Sequence, residues 1–315
     1  MEKNSKIYVA GHRGMVGSAI VRKLESEGYG CIVKKTSKEL DLKNQFKTEE
    51  FLAIERPECV ILAAAKVGGI GANINQPAEF LMENLQIQTN VINSSFKNGI
   101  KKLVFLGSSC IYPTNAKQPL KEEYLLTGKL EPTNEGYAIA KIAGLKACEY
   151  YNKEYRLDYV SIMPPNLYGI NDNFNPDDSH IVAALIRKMH HAKLNNKAYV
   201  EIWGSGSQYR ELMNVDDMAD AVVFVMENYN KAEFINIGTG IDATVKEIAE
   251  TVKRVIEYNG NLVFDISKPD GMHRKVLDTT KINELGWKSK IEFEEGLKST
   301  YEWYLNQINI GREVI

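Results

Sequence analysis

The sequence predicts an α/β chain: a Rossmann-type, doubly wound parallel sheet with a smaller, interleaved substrate-binding lobe. Three observations carry that prediction. Short β-rich runs alternate with long helical stretches through the first half of the chain. Those runs are apolar on both faces rather than alternating, as in a parallel sheet covered by helices on each side. A glycine triplet, GHRGMVG, directly follows the first run and opens the first helical stretch.

Taken in order, KIYVA (6–10) reads as a strand and Met15 to Glu27 as a helix. CIVKK (31–35) and CVILAAA (59–65) read as strands, then Pro77 to Asn98 as a helix. KKLVFLG (101–107) is a strand, Tyr137 to Tyr155 a long helix, and DYVSIM (158–163) a further strand. Pro164, Pro165, Pro176 and neighbouring glycines mark 164–180 as a connecting loop. Beyond it, EFINIGTG (233–240) reads as a strand and Thr244 to Tyr258 as a helix, and 259–315 supplies a strand and a final amphipathic helix. The expected division is a nucleotide-binding domain over 1–163, rejoined by about 231–240, and a substrate lobe from about 164–230 and 241–315. The chain then crosses between lobes more than once.

Bulk properties exclude several classes. A net charge of -2 over 315 residues gives no signal for nucleic acid or an acidic membrane surface. No apolar run of about twenty residues is present to span a bilayer. The first strand begins too early to leave room for a signal peptide. Cys31, Cys59, Cys110 and Cys148 lie far apart, without metal-ligand spacing. Free thiols and a reducing, cytoplasmic setting are expected.

Gly11, Gly14 and Gly17 stand where a chain must turn sharply and let a pyrophosphate approach its backbone without Cβ clashes. The helix start then offers unpaired N–H groups and a partial positive charge. The GxxGxxG spacing is the short-chain dehydrogenase variant of the dinucleotide motif. An NAD enzyme would carry an acid at the end of the second strand for the ribose hydroxyl. Here that stretch is Lys34-Lys35-Thr36-Ser37, and Arg13 lies inside the glycine loop. These cations suit a 2′-phosphate, so NADP(H) is the expected cofactor. Asp41 reads as an adenine partner or as a helix N-cap.

Among sixteen tyrosines only Tyr137 has a lysine, Lys141, four residues later. That spacing stacks the two on one helical face. The phenol can protonate a carbonyl oxygen as hydride arrives, and the ammonium is expected to depress the phenol's pKa. Ser108 and Ser109, after the 101–107 strand, can bond the same oxygen. Taken alone, Cys110 reads as a buried apolar residue and His180, in NPDDSH, as an ordinary loop histidine.

Longer blocks narrow the reading. GHRGMVG (11–17), AAKVGGIGAN (64–73), FLGSSCIYP (105–113), EPTNEGYAIAKIAG (131–144), NLYG (166–169), WGSGS (203–207) and KPDG (268–271) make the chain resemble the GDP-L-fucose synthase family over essentially its whole length. That family combines 3,5-epimerisation and 4-reduction of a GDP-4-keto-6-deoxy sugar. The resemblance implies that Ser108 joins Tyr137 and Lys141 in reduction, while Cys110 and His180 serve as epimerisation base and acid. It implies Met15, Val16, Thr36, Leu62, Ala63, Ala64, Pro164 and His180 along the cofactor, with Asn166 and Leu167 lining both pockets. It implies Ser109, Lys188, Trp203, Arg210 and Asp278 for the nucleotide sugar, with Lys188 and Arg210 on the diphosphate and Asp278 on a ribose. A homodimer through the helices at 77–98 and 137–155 is implied as well.

Departures from the family's usual blocks cluster in the substrate half. Pro165 replaces a threonine, Asn214 a histidine, and Gly136 a proline, and Met272-His273 follows KPDG. A C4-reductase acting on another GDP-4-keto sugar, such as a 6-deoxy-heptose, is the alternative within the class. A catalytically inactive NADP-binding homologue is the alternative outside it, and the complete Ser-Tyr-Lys set argues against that.

Overall fold

The computed structural model describes residues 1–176, 178–268 and 271–311. Its strands are β1 (Ile7–Ala10), β2 (Ile32–Val33), β3 (Cys59–Leu62), β4 (Lys102–Leu106), β5 (Asp158–Met163), β6 (Asn166–Tyr168), β7 (Tyr199–Trp203), β8 (Tyr209–Asn214), β9 (Ile235–Asn236), β10 (Asp242–Thr244) and β11 (Asn261–Asp265). Its helices are α1 (Met15–Ser26), α2 (Gln45–Glu55), α3 (Ile70–Asn75), α4 (Pro77–Lys97), α5 (Glu135–Tyr155), α6 (Ile181–Leu194), α7 (Val215–Asn228), α8 (Val245–Ile256), α9 (Thr280–Glu284) and α10 (Phe293–Asn309).

Six parallel strands form the main sheet in the order β2-β1-β3-β4-β5-β9. Alternate residues of each strand face opposite layers. Ile7 and Val9 of β1 pack with α1 and α7, whereas Tyr8 and Ala10 pack with the α2, α4 and α5 layer. Burial on both faces is why these strands read as continuous apolar runs.

The second lobe has its own core of α6, α8 and α10 around Tyr168, Leu212 and Leu262. It holds a three-stranded sheet, β10-β8-β6, and a parallel pair, β11-β7. Helix α8 starts with a full capping box in which Thr244 and Glu247 exchange side-chain and backbone bonds.

Several features differ from the sequence expectation, among them the strand read over 233–240, which is only Ile235–Asn236, and the strand read over 59–65, which ends at Leu62. The second strand stops at Val33, leaving Lys34 and Lys35 beyond it. The 164–180 connection contains β6, because the three residues after the proline pair can extend against β8 despite the breaks around them. Helix α7, placed with the substrate lobe by the division at 230, packs on the main sheet against α1. Its apolar stripe, including Met218, Val222 and Val225, joins the core of Ile7, Ile20 and Val104.

Candidate active site

The chain reverses its winding direction at β1, whose neighbours are β2 on one side and β3 on the other. A doubly wound sheet opens a crevice at such a point, outside the carboxyl ends of its strands. The glycine loop lies there. Gly11 has a φ of +85°, and a Cβ on it would stand 2.7 Å from the Ala64 nitrogen at the end of β3. A Cβ on Gly17 would stand 2.1 Å from the Gly11 carbonyl oxygen, so helix and loop touch through backbone. Gly14, the N-cap of α1, would meet only that same oxygen, at 3.6 Å. The amides of Met15, Val16 and Gly17 precede the first intrahelical bond, from Ser18 N–H to Gly14 C=O at 2.9 Å. Beside Ala64, Ala63 N–H is held by Ala10 C=O at 3.0 Å, and Leu62 is buried.

Positive charge gathers at the adjoining end of β2. Burial lowers the His12 imidazole first, and Arg13 and Lys34 push it the same way. Lys35 and Arg13 both act on Glu39. Lys34 is tied to Glu25 at 3.3 Å. Thr36 gives its N–H and hydroxyl to Glu39 at 2.8 and 2.7 Å, which shapes this turn. Asp41 closes a local turn through the Lys43 N–H at 3.0 Å; the N-cap of α2 is Asn44, which accepts from Lys47 N–H at 3.0 Å.

The reduction residues converge at the ends of β4 and the start of α5. Ser108 ends β4's exit and accepts Cys110 N–H at 3.2 Å. The Tyr137 phenol lies near it. Ser109 is buried, with its N–H on Pro164 C=O at 3.0 Å. Lys141, one turn along α5, is 4% exposed. Its Nζ lies 5.7 Å from the Tyr137 ring centre and donates to Leu106 C=O at 2.8 Å. Burial pushes this ammonium down to about 7.

The expectation for the phenol is corrected. Burial, followed by the neighbouring Cys110, raises the Tyr137 phenol well above its ordinary value, against the smaller effect of Ser108. Lys141 is spent on the Leu106 carbonyl and does not offset this. The outcome is a phenol that keeps its proton through the neutral range, as a proton donor must.

Cys110 and His180 are brought together by a residue that sequence reasoning missed. Lys275 Nζ lies 3.5 Å from Cys110 Sγ. The same ammonium helps lower the His180 imidazole, after burial and against Asp178. Asn134 Nδ2 donates to Cys110 Sγ at 3.3 Å. Lys275 carries no local motif and stands 165 residues from Cys110, so only the fold reveals it. His180 stands at the N-cap position of α6 without a side-chain cap bond, and its loop is braced by Gly69 N–H on Asp178 C=O at 3.0 Å. A Cβ on Gly69 would meet Ser179 O at 3.0 Å.

In the second lobe, Lys188 donates to Glu201 C=O at 3.1 Å and stands 5.9 Å from the Trp203 ring centre, which Lys268 approaches to 5.4 Å. Arg210 Nη1 bonds the carbonyls of Tyr209 and Met272, each at 2.7 Å. Asn166 and Leu167 pair with Leu212 and Met213. Asp278 follows Leu277, whose N–H donates to Glu211 of β8 at 2.7 Å. The Asp278 carboxylate accepts Thr280 N–H at 2.9 Å at the start of α9, and the adjacent Leu277 belongs to the main-sheet core. Pro269 and Asp270 of the KPDG block, and Asp177 of NPDDSH, lie outside the described residues. Asn214, where histidine is usual, caps α7 by accepting Asp216 N–H at 2.9 Å.

Comparison with known families adds the identity of this arrangement. The model of the NAD dependent epimerase/dehydratase family matches residues 7–238. The chain belongs to that family. Within it, the resemblance to GDP-L-fucose synthases holds along the whole chain. A putative GDP-L-fucose synthase 2 of Arabidopsis thaliana is 56% identical, covering 98% of this chain and 94% of its own. The GDP-L-fucose synthase of Escherichia coli K12 is 51% identical over 95% of this chain and 96% of its own. Among solved structures, a GDP-mannoheptose C4 reductase from Campylobacter jejuni with NADP bound is 45% identical, with a TM-score of 0.89, covering 97% of this chain and 99% of that one. The parallel sheet of six strands is the Rossmann-type core of this epimerase/dehydratase family.

Proposed function

We propose that the protein uses NADPH to reduce the C4 ketone of a GDP-linked 4-keto-6-deoxy sugar, after epimerisation at C3 and C5. One observation carries the reading. Tyr137 has Ser108 and Cys110 as neighbours, and the Lys275 ammonium 3.5 Å from the Cys110 sulfur also bears on His180.

The residues fit the cofactor. The unpaired amides of Met15 to Gly17 suit a pyrophosphate, and the Gly11–Ala64 approach leaves backbone at the cradle. Arg13 and Lys35 suit a 2′-phosphate, and the Lys34–Ser37 stretch after β2 itself carries no acid, although Glu39 is bound to Thr36 in the same turn. Bound NADPH supplies the hydride. Tyr137 then donates its proton to the C4 oxygen, and Ser108 orients the phenol and bonds the same oxygen.

Epimerisation uses the ketone first. A C4 carbonyl acidifies the C3 and C5 protons because the resulting enolate spreads its charge onto oxygen. Cys110 takes such a proton, with the Lys275 ammonium 3.5 Å from its sulfur. His180, whose imidazole burial and then Lys275 push down against Asp178, takes a proton from solvent and returns it to the opposite face of the carbon. Lys188 and Arg210 are the diphosphate cations and Trp203 the nucleotide-sugar platform. Four unpaired cysteines agree with a cytoplasmic protein. Helix α5 exposes Ile139 and Tyr150 on one face and neighbouring α4 exposes Met82, an apolar surface suited to the expected homodimer.

A second reading, C4 reduction alone on a GDP-4-keto-heptose, is favoured by the 45% identity to the mannoheptose reductase. The test offers the protein GDP-4-keto-6-deoxy-mannose and the corresponding heptose with NADPH in D2O. NADPH oxidation with deuterium at C3 and C5 supports the first reading. Oxidation without deuterium supports the second. Unchanged turnover in Tyr137→Phe defeats both.

A further inference from the structure

Asn134 stands at the N-cap of α5, a position where asparagine ordinarily accepts an N–H from the first turn with its side-chain oxygen. It makes no such bond. Its Oδ1 is buried without a hydrogen-bond partner, and its Nδ2 is turned 3.3 Å from Cys110 Sγ. The side chain forgoes a stabilising cap and leaves a carbonyl oxygen unsatisfied in order to donate to sulfur. Such a sacrifice is characteristic of functional sites.

We infer that Asn134 is a positioning residue that selects the thiolate form of Cys110 and aims its lone pair at the substrate. The inference rests on the reading of Cys110 as the epimerisation base. An amide N–H satisfies a thiolate, which only accepts, and offers nothing to a thiol proton. The sulfur thus faces two donors: the neutral Asn134 from the α5 cap and the Lys275 ammonium from the segment after β11. Tyr137 approaches from α5, and His180, from the start of α6, lies beyond Lys275. With one donor charged and movable on a long stem, the short asparagine fixes the direction from which charge on sulfur is stabilised. Because the residue adjoins the turn carrying Tyr137, the same helix start sets both the proton donor of reduction and the base of epimerisation.

The test measures Cys110 directly and needs no sugar. The native protein, Asn134→Asp and Asn134→Ala are treated with iodoacetamide between pH 6 and 10. Mass spectrometry follows alkylation of Cys110, with Cys31 as internal reference. In Asn134→Asp the pH of half-maximal alkylation should rise by about one unit, with an approximately tenfold slower reaction at pH 7.5. Asn134→Ala should show a smaller rise, a few-fold in rate. The thermal midpoint of Asn134→Asp should not fall, since aspartate is a good N-cap and favours the helix dipole. Lower thermal midpoints with unchanged Cys110 curves would make Asn134 merely structural and overturn the inference. A shift in Asn134→Asp with none in Asn134→Ala would assign the effect to the introduced charge, and overturns it too. Deuterium incorporation by the native protein tests the base assignment separately. If native Cys110 supports no exchange, that reading fails whatever the alkylation shows.

Discussion

Replacing Lys141 with methionine should make the protein more stable in mild acid and less stable in base. In an unfolded chain this lysine holds its proton up to its ordinary value of 10.5, while in the fold it releases it near 7. Between those values the unfolded state binds the extra proton, so folding stability climbs with pH. Below 7 the fold bears the full cost of a buried ammonium. At about 1.4 kcal/mol per pH unit, the gap amounts to about 5 kcal/mol. Methionine removes that cost at low pH. It also removes the donor 2.8 Å from the Leu106 carbonyl, which costs about 1–3 kcal/mol at every pH. The difference is a gain of about 2–4 kcal/mol at pH 6 and a loss of about 1–3 kcal/mol near pH 10.5. For a chain of this length about 2 °C accompanies each kcal/mol. Calorimetric midpoints of both proteins from pH 6 to 10.5 should therefore cross. A difference that stays constant with pH, or a variant less stable at pH 6, refutes the account of Lys141 as a buried, easily deprotonated amine.

Two further predictions concern packing. Gly17→Ala places a methyl 2.1 Å from the Gly11 carbonyl oxygen, so loop and helix must part. Stability should fall by about 1–3 kcal/mol, and fluorescence titration should show weakened NADPH binding; an unchanged midpoint would mean the loop yields freely. Glu211→Ala removes the buried carboxylate that accepts from Thr239 N–H, Gly240 N–H and Leu277 N–H at 2.7, 2.9 and 2.7 Å. Stranding those amides should cost about 3–5 kcal/mol in denaturant unfolding, and a loss below about 1 kcal/mol would show that water replaces the carboxylate.

Much of the fold was legible because parallel strands leave an unambiguous mark. β5 coincides with DYVSIM, and β1, β3 and β4 fall inside the runs assigned to them. β6 was not legible, since three residues beside two prolines carry no periodicity and depend on β8 for pairing. Helix α7 looked like substrate lobe by position, although its apolar stripe fits the main sheet. At the site, local spacing revealed what one helix or turn holds: the Tyr137–Lys141 pair and the glycine loop. Lys275 and Asn134 escaped because their meaning lies in one sulfur atom reached from distant segments. The phenol was misjudged for a related reason. Spacing gives the neighbour, whereas burial and the Leu106 carbonyl decide where its charge is spent.

The two lobes are laced rather than hinged. The chain passes from β5 into β6, returns from β8 into α7, leaves again from β9 to β10, and comes back through Leu277 and α9 before ending in α10. Glu211, on β8, clamps two of these passages, at Thr239–Gly240 and at Leu277, to one carboxylate. A protease nick in any one connection leaves the others holding, and neither lobe can be cut out as an independent piece. Recombination likewise has no single joint at which to exchange one substrate lobe for another. A change of sugar on this scaffold therefore has to come residue by residue, in the manner of Pro165, Gly136 and Asn214, where this chain departs from the family's usual blocks.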